Sequence, residues 1–214
     1  MIQTRKDLQF YIIADRVMNG FPAKSSLRSK VKDLVLGGGK VLIVNYLLHL
    51  RRYEYYRNNH KRRLSLNSFM LWIEHKKLSR LAIKCGFSIG PNALGYGVVI
   101  PHYGTIVVNS EARIGNYAVL HTCTCIAGGD KQIGDGLYLS TGCQIVGAVT
   151  LGDGVTVAAH SLVNKSFSGN CLVAGAPAFV KRVNQPIWYE SERESGRFSE
   201  YVHQIEKIKN QIYG

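Results

Sequence analysis

Residues 112–120 read ARIGNYAVL and residues 132–163 read QIGDGLYLSTGCQIVGAVTLGDGVTVAAHSLV. In both stretches an aliphatic residue returns at every sixth position. Followed outward, the series is Leu94, Ile100, Ile106, Ile114, Leu120, Ile126, Ile133, Leu139, Ile145, Leu151, Val157 and Val163; nine of its eleven steps are six residues. The other two are eight (Ile106 to Ile114) and seven (Ile126 to Ile133). A helix of 3.6 residues per turn cannot hold a six-residue period on one face, and an alternating strand has no reason to prefer it. Short strands joined by tight turns do, when three units close one coil of a parallel β-helix. Small residues after the aliphatic one (Gly115, Gly134, Ser140, Gly152, Ala158) suit those turns, and the two long steps are expected as local bulges.

The regions on either side differ in composition. Residues 1–86 carry 18 Lys and Arg against 5 Asp and Glu; residues 87–183 carry 5 against 4, and residues 184–214 carry 4 against 5. The formal charge of the 214-residue chain, +13, therefore sits in its first segment. That segment has helical periodicity, with Leu8, Tyr11, Ile12 and Val17 near one face and further runs over about 40–58 and 65–84, broken by Pro22 and Gly37–Gly39. We divide the chain into a basic α-helical region (1–86), the β-helix (87–183) and a helical tail (184–214). In the tail, Phe198, Tyr201, Val202, Ile205, Ile208 and Ile212 recur at steps near three and four, the pattern of an amphipathic helix packed on the β-helix or a neighbouring subunit.

Clustered cations with Tyr53, Tyr55 and Tyr56 suggest nucleic acid, but no recognised nucleic-acid motif accompanies them, so none is expected as a partner. An anionic membrane surface suits basic residues beside apolar helix faces better, with Arg51, Arg52, Arg62 and Arg63 as its candidate contacts. No secretory signal or spanning stretch is visible, which points to a cytoplasmic protein, peripheral at most to the inner membrane face. Five cysteines without framework spacing read as reduced thiols.

The quoted repeats, with GFSIGPN (86–92), IPHYGTIVVN (100–109) and VAGAPAFVKR (173–182), resemble the hexapeptide-repeat acyltransferases. The resemblance spans about residues 87–183 and implies a left-handed parallel β-helix assembled as a homotrimer, with acetyl-CoA as co-substrate along a cleft between subunits. Within the family, the motifs look like the serine acetyltransferase branch, and especially its relatives that acetylate capsular or exopolysaccharide sugars. His102 matches the catalytic histidine of that branch and is the candidate general base, since imidazole titrates where a hydroxyl needs a proton acceptor. His121, one coil away, is a candidate for substrate hydrogen bonding or oxyanion stabilisation. Stacking arithmetic puts Ser140, Thr141, Gly142, Ala158 and Ala159 on the same edge, small enough for a pantetheine arm to lie along them. Gly175, Pro177, Lys181 and Arg182 follow as candidates for the nucleotide end, where cations suit phosphate.

Three departures from the serine enzymes stand out. Their histidine-orienting aspartate falls on Phe87, the aspartate before the histidine falls on Pro101, and GGDKQIGDG (128–136) lacks their Arg-His pair. These losses favour a neutral acceptor, so the sequence reading is O-acetylation of a sugar hydroxyl on a surface polysaccharide or its precursor. Serine O-acetylation and a noncatalytic trimeric β-helix are its alternatives. Asn92, Glu111 or a main-chain carbonyl is left to orient His102. A zinc site from His102, His121, His160, Cys123 and Cys125 lacks the usual ligand spacing, and no metal is expected.

Overall fold

In the computed structural model, residues 1–24, 37–60, 66–191 and 196–214 are described. Among the described residues three helices come first: α1 (Arg5–Met18), α2 (Gly39–Asn58) and α3 (Leu66–Cys85). Thirteen short strands follow: β1 (Phe87–Ile89), β2 (Ile106–Val108), β3 (Ala112–Ile114), β4 (Val119–Leu120), β5 (Thr124–Ile126), β6 (Lys131–Ile133), β7 (Tyr138–Leu139), β8 (Gln144–Ile145), β9 (Val149–Leu151), β10 (Thr156–Val157), β11 (Leu162–Val163), β12 (Leu172–Ala174) and β13 (Phe179–Arg182). A 3₁₀ turn (Trp188–Glu190) and α4 (Arg197–Tyr213) close the chain.

The strands stack as the six-residue period requires. One sheet runs β1-β2-β5-β8-β11, a second β3-β6-β9, and a third β13-β12-β10-β7-β4, all parallel except the β12–β13 pair. The result is a β-solenoid of about five coils. Its interior is a set of aliphatic columns. Leu120, Leu139, Val157 and Val173 stack in the third sheet, and Ile89, Val108, Ile126, Ile145 and Val163 in the first. The interior positions Leu120, Leu139, Val157 and Val163 are fully buried, so the period is the periodicity of core contact.

The register relocates one bulge. Counting by aliphatic type puts the eight-residue step between Ile106 and Ile114, but Val108, not Ile106, aligns with Ile126. Ile106 stacks between Phe87 and Thr124 instead. Both Ile106 and Val108 are buried, which is why composition alone misplaces the step. The eight residues lie between Ile100 and Val108, so the two extra residues sit in the turn that carries His102.

The helices close the open end of the first coil. Strand edges left bare expose unpaired amides and carbonyls, and here side chains meet them. Asp15 Oδ1 accepts from Val98 N (3.0 Å), Asn19 Nδ2 donates to Val98 O (2.7 Å), and Asn19 Oδ1 accepts from Ile100 N (3.3 Å). Glu54 Oε1 accepts from Asn92 N at 2.7 Å. Between them lies Arg51, fully buried. It donates to Asp15 Oδ2 (2.8 Å), Glu54 Oε2 (3.1 Å), Leu94 O (2.9 Å) and Gly95 O (2.5 Å). Arg51 therefore cannot face a membrane, contrary to the sequence expectation. Arg52 reaches the buried Glu74 (3.8 Å), while Arg62 and Arg63 lie outside the described residues.

α1 also presents a different face from the one expected: Phe10, Ala14, Val17 and Met18 are buried, with Tyr11 and Ile12 only partly so. The buried residues of this face meet α4, which folds back over the outer face of the third sheet. There Phe198, Tyr201, Val202, Ile205, Ile208 and Ile212 join Tyr96, Tyr117 and Trp188 in a second apolar cluster. No helix among the described residues is long and apolar enough to cross a membrane.

Candidate active site

His102 projects from the turn between the third sheet and the first. The same corner in successive coils is made by His121–Thr122–Cys123, Ser140–Thr141–Gly142, Ala158–Ala159–His160 and Ala174–Pro177. Main-chain hydrogen bonds tie each to the next: Cys123 N to Thr105 O (2.7 Å), Gly142 N to Thr122 O (3.1 Å), His160 N to Thr141 O (2.9 Å) and Leu162 N to Gly175 O (2.9 Å). Four spacings of ~4.8 Å make this edge roughly 19 Å long. It carries two histidines at its start and small residues beyond, so Ser140, Thr141, Gly142, Ala158, Ala159, Gly175 and Pro177 share one line. Gly142 has φ of 77°, and a Cβ there would fall 2.5 Å from Nδ1 of His160, whose ring fills the space above it. Cys123 (φ 60°) and His160 (φ 56°) take the same left-handed turn position as Gly142.

The two histidines have different surroundings. His102 is exposed and its ring has no hydrogen-bond partner among the described residues. His121 Nε2 lies 2.9 Å from the Tyr138 hydroxyl, and Tyr138 in turn lies 6.1 Å, ring to ring, from buried Trp188. His121 is thus fastened toward the outer face of the third sheet. Asn92 and Glu111 do not reach His102, because both sit at the corner between the first and second sheets. There Asn92 pairs with Asn58 (3.0 and 2.9 Å), and the Glu111 amide binds Asn109 Oδ1 (2.8 Å). Phe87 is buried against Tyr46, ring centroids 5.0 Å apart, and orients nothing at the site.

Two cavities flank this edge. The first, about 230 Å³, holds His102 together with Asn19, Lys40, Arg197, Phe198 and Tyr201. The second, about 660 Å³, is a groove lined by Tyr138, Ser140, Thr156, Arg182, Trp188 and neighbours, which joins two of the sequence candidates, Ser140 and Arg182. Lys181 is exposed beside Arg182 on β13. Lys40 and Arg197 are the residues that sequence reasoning missed. They come from the first turns of α2 and α4, 62 residues before and 95 after His102, and no local pattern links them to it. Neither forms an ion pair among the described residues.

The loop that lacks the Arg-His pair lies at the corner between the first and second sheets, away from His102. Its one cation, Lys131, is turned inward and donates to Ala127 O (2.7 Å) and Gly128 O (2.5 Å). Desolvation holds the Lys131 ammonium below its ordinary pKa. His160 lies over Gly142 two coils beyond His102's neighbour, Cys123 is exposed in a turn, and all five cysteines are free thiols. Among the described residues no cluster of three His, Cys, Asp or Glu could hold a metal ion.

A coil of hexapeptide repeats, helices over its first edge and a C-terminal helix define a hexapeptide-repeat β-solenoid, the fold of the serine acetyltransferase structures. The chain is similar to serine acetyltransferases. It is 34% identical over 154 residues to serine acetyltransferase 2 of Arabidopsis thaliana, spanning 64% of this chain and 45% of that protein. It is 30% identical over 111 residues to the serine acetyltransferase of Synechococcus elongatus, spanning 48% and 45%. The chain thus spans under half the length of these relatives. Among solved structures, Neisseria gonorrhoeae serine acetyltransferase has a TM-score of 0.58 at 17% identity over 86% of this chain and 69% of that one. The Brucella abortus strain S19 enzyme in complex with coenzyme A has 0.55 at 21%, over 83% and 68%. No family model matches the chain.

These matches correct the sugar-acceptor reading. The relatives and structural neighbours are serine acetyltransferases rather than capsular polysaccharide O-acetyltransferases.

Proposed function

We propose that this protein is an acetyl-CoA-dependent O-acetyltransferase whose acceptor is serine, working as a homotrimer. The observation that carries the reading is the edge itself, with His102 at an enlarged turn, a line of small residues leading away from it, and Ser140 with Arg182 in the adjoining groove. That line offers an extended pantetheine arm a surface made mostly of small side chains. His160 over Gly142 is the one large group in it. Arg182 and Lys181 supply cations for the phosphates at the far end. The likeness to serine acetyltransferases supplies the acceptor, and Lys40 and Arg197 beside His102 suit its carboxylate.

In this reading His102 accepts the serine hydroxyl proton as that oxygen bonds to the thioester carbon. The carbon–sulfur bond breaks on collapse of the tetrahedral adduct, and the proton passes from His102 to the departing sulfur. His121, held by Tyr138, positions the wall of the site.

Release of coenzyme A thiol with L-serine as acceptor tests the proposal. Turnover is expected in the wild type, and His102→Ala should lower it about 100-fold or more, the usual worth of a general base. Near-normal activity in that variant removes His102 from the role, and coenzyme A binding without any serine turnover removes serine.

A further inference from the structure

α3 presents an outer face unlike that of an ordinary water-facing helix. Its buried residues, Glu74, Leu78 and Cys85, lie on one side. On the opposite side, at helical spacing, stand Phe69, Trp72, Lys76, Arg80 and Ile83. Phe69 and Trp72 are each 58% exposed and Ile83 is 83% exposed. The rings of Phe69 and Trp72 stack with centroids 6.4 Å apart and planes 20° from parallel, so a paired aromatic surface stands open to solvent. Lys76 and Arg80 share the face, and exposed Lys77 and Lys84 adjoin it. The helix has one acid, Glu74, and it is turned inward, with Oε2 2.5 Å from His49 Nδ1 and Oε1 3.8 Å from Arg52. Aromatic rings and cations with no exposed carboxylate on the helix are a combination that calls for an anionic and apolar occupant.

We propose that this face of α3 docks on an anionic lipid bilayer, with Phe69 and Trp72 at the boundary of headgroups and acyl chains and Lys76, Lys77, Arg80 and Lys84 against the headgroups. Aromatic residues settle at that depth, and basic residues beside them are drawn by the negative surface potential. A second copy of the chain placed face to face would set cations against cations with no acid between them. The proposal is independent of the acceptor, since α3 contributes nothing to the cavity around His102.

Tryptophan fluorescence of the full chain tests it. There are two tryptophans, and Trp188 is buried, so a change in emission on binding reports Trp72. Vesicles containing phosphatidylglycerol should shift the emission to the blue and carry the protein upward in a flotation gradient. Phosphatidylcholine vesicles should do neither, and salt at about 0.5 M, where screening is short-ranged, should weaken the effect. Phe69→Ser with Trp72→Ser should abolish flotation, and Lys76→Glu with Arg80→Glu should weaken it about tenfold or more, with coenzyme A release unchanged and melting retained in both. Absence of any blue shift or flotation with anionic vesicles overturns the proposal, as does undiminished flotation of both variants. Variants that alter the oligomeric state while still floating would overturn it too, assigning the face to self-association.

Discussion

Arg51 shows how little a residue's type says about its surroundings. In RRYEYYRNNHKRR (51–63) it reads as one more surface cation, yet it is buried and joins α1, α2 and the first coil. Burial alone would lower its pKa, but the carboxylates of Asp15 and Glu54 outweigh that and hold the guanidinium well above its ordinary value. Glu54 is pushed up by its own burial, with Arg51 opposing. Removing one partner of such a set leaves buried charge uncompensated, so Arg51→Met should cost about 3–5 kcal/mol, read from denaturant midpoints. Replacing Arg51, Asp15 and Glu54 together by apolar residues should not restore stability. Asp15 and Glu54 also accept from the amides of Val98 and Asn92, and each orphaned amide costs about 1–3 kcal/mol. Full stability in the triple variant would show that these edge hydrogen bonds contribute nothing.

The elements were legible in proportion to their repetition. Six-residue spacing identified the coils because each aliphatic residue contacts its equivalents above and below, and the helical runs near 40–58 and 65–84 lie close to the helices at Gly39–Asn58 and Leu66–Cys85. The turn carrying His102 was not located by counting, since Ile106 and Val108 are equally aliphatic and only pairing distinguishes them. Turn geometry supports a further test. Gly142→Ala should cost about 1–2 kcal/mol for its left-handed backbone, plus the displacement of His160. In a His160→Ala background only the backbone part should remain, as paired melting curves would show. At α1, Thr4 and Asp7 form a reciprocal cap, and Tyr213 donates to Asp7 Oδ1 at 2.7 Å. Partial burial raises the Asp7 pKa, but the hydrogen bonds from Tyr213, Thr4 and Gln3 outweigh it and hold the carboxyl below its usual range. A carboxyl depressed on folding stabilises above its unfolded pKa of about 4 and ceases to do so as pH falls through the folded value. Melting temperature should therefore drop with acidification below about pH 4, and less so in Asp7→Asn.

At the scale of the whole molecule, the site is assembled from parts that the chain keeps far apart. Lys40 lines the cavity of His102 because α2 begins against its turn: a Cβ on Gly39 would stand 2.7 Å from the ring of Tyr103. Arg197 lines the same cavity because α4 folds back over the third sheet, anchored by Ile205 and the Trp188–Phe198 ring contact at 4.9 Å. Neither placement is readable from sequence, since each depends on the packing of a helix whose own pattern says only that it is amphipathic. The total charge of +13 misdirects for the same reason, by adding a buried Arg51 to cations that face solvent. If Lys40 and Arg197 hold the carboxylate of serine, their worth should appear in binding. Charge-assisted hydrogen bonds contribute about 1.5–3 kcal/mol each, so Lys40→Met with Arg197→Met should raise the KM for serine roughly 100- to 10,000-fold while kcat changes little. Serinamide, which has the hydroxyl but no carboxylate, should be a poor acceptor for the wild type and equally poor for the variant. A KM for serine unchanged by the double substitution would remove both cations from the acceptor site.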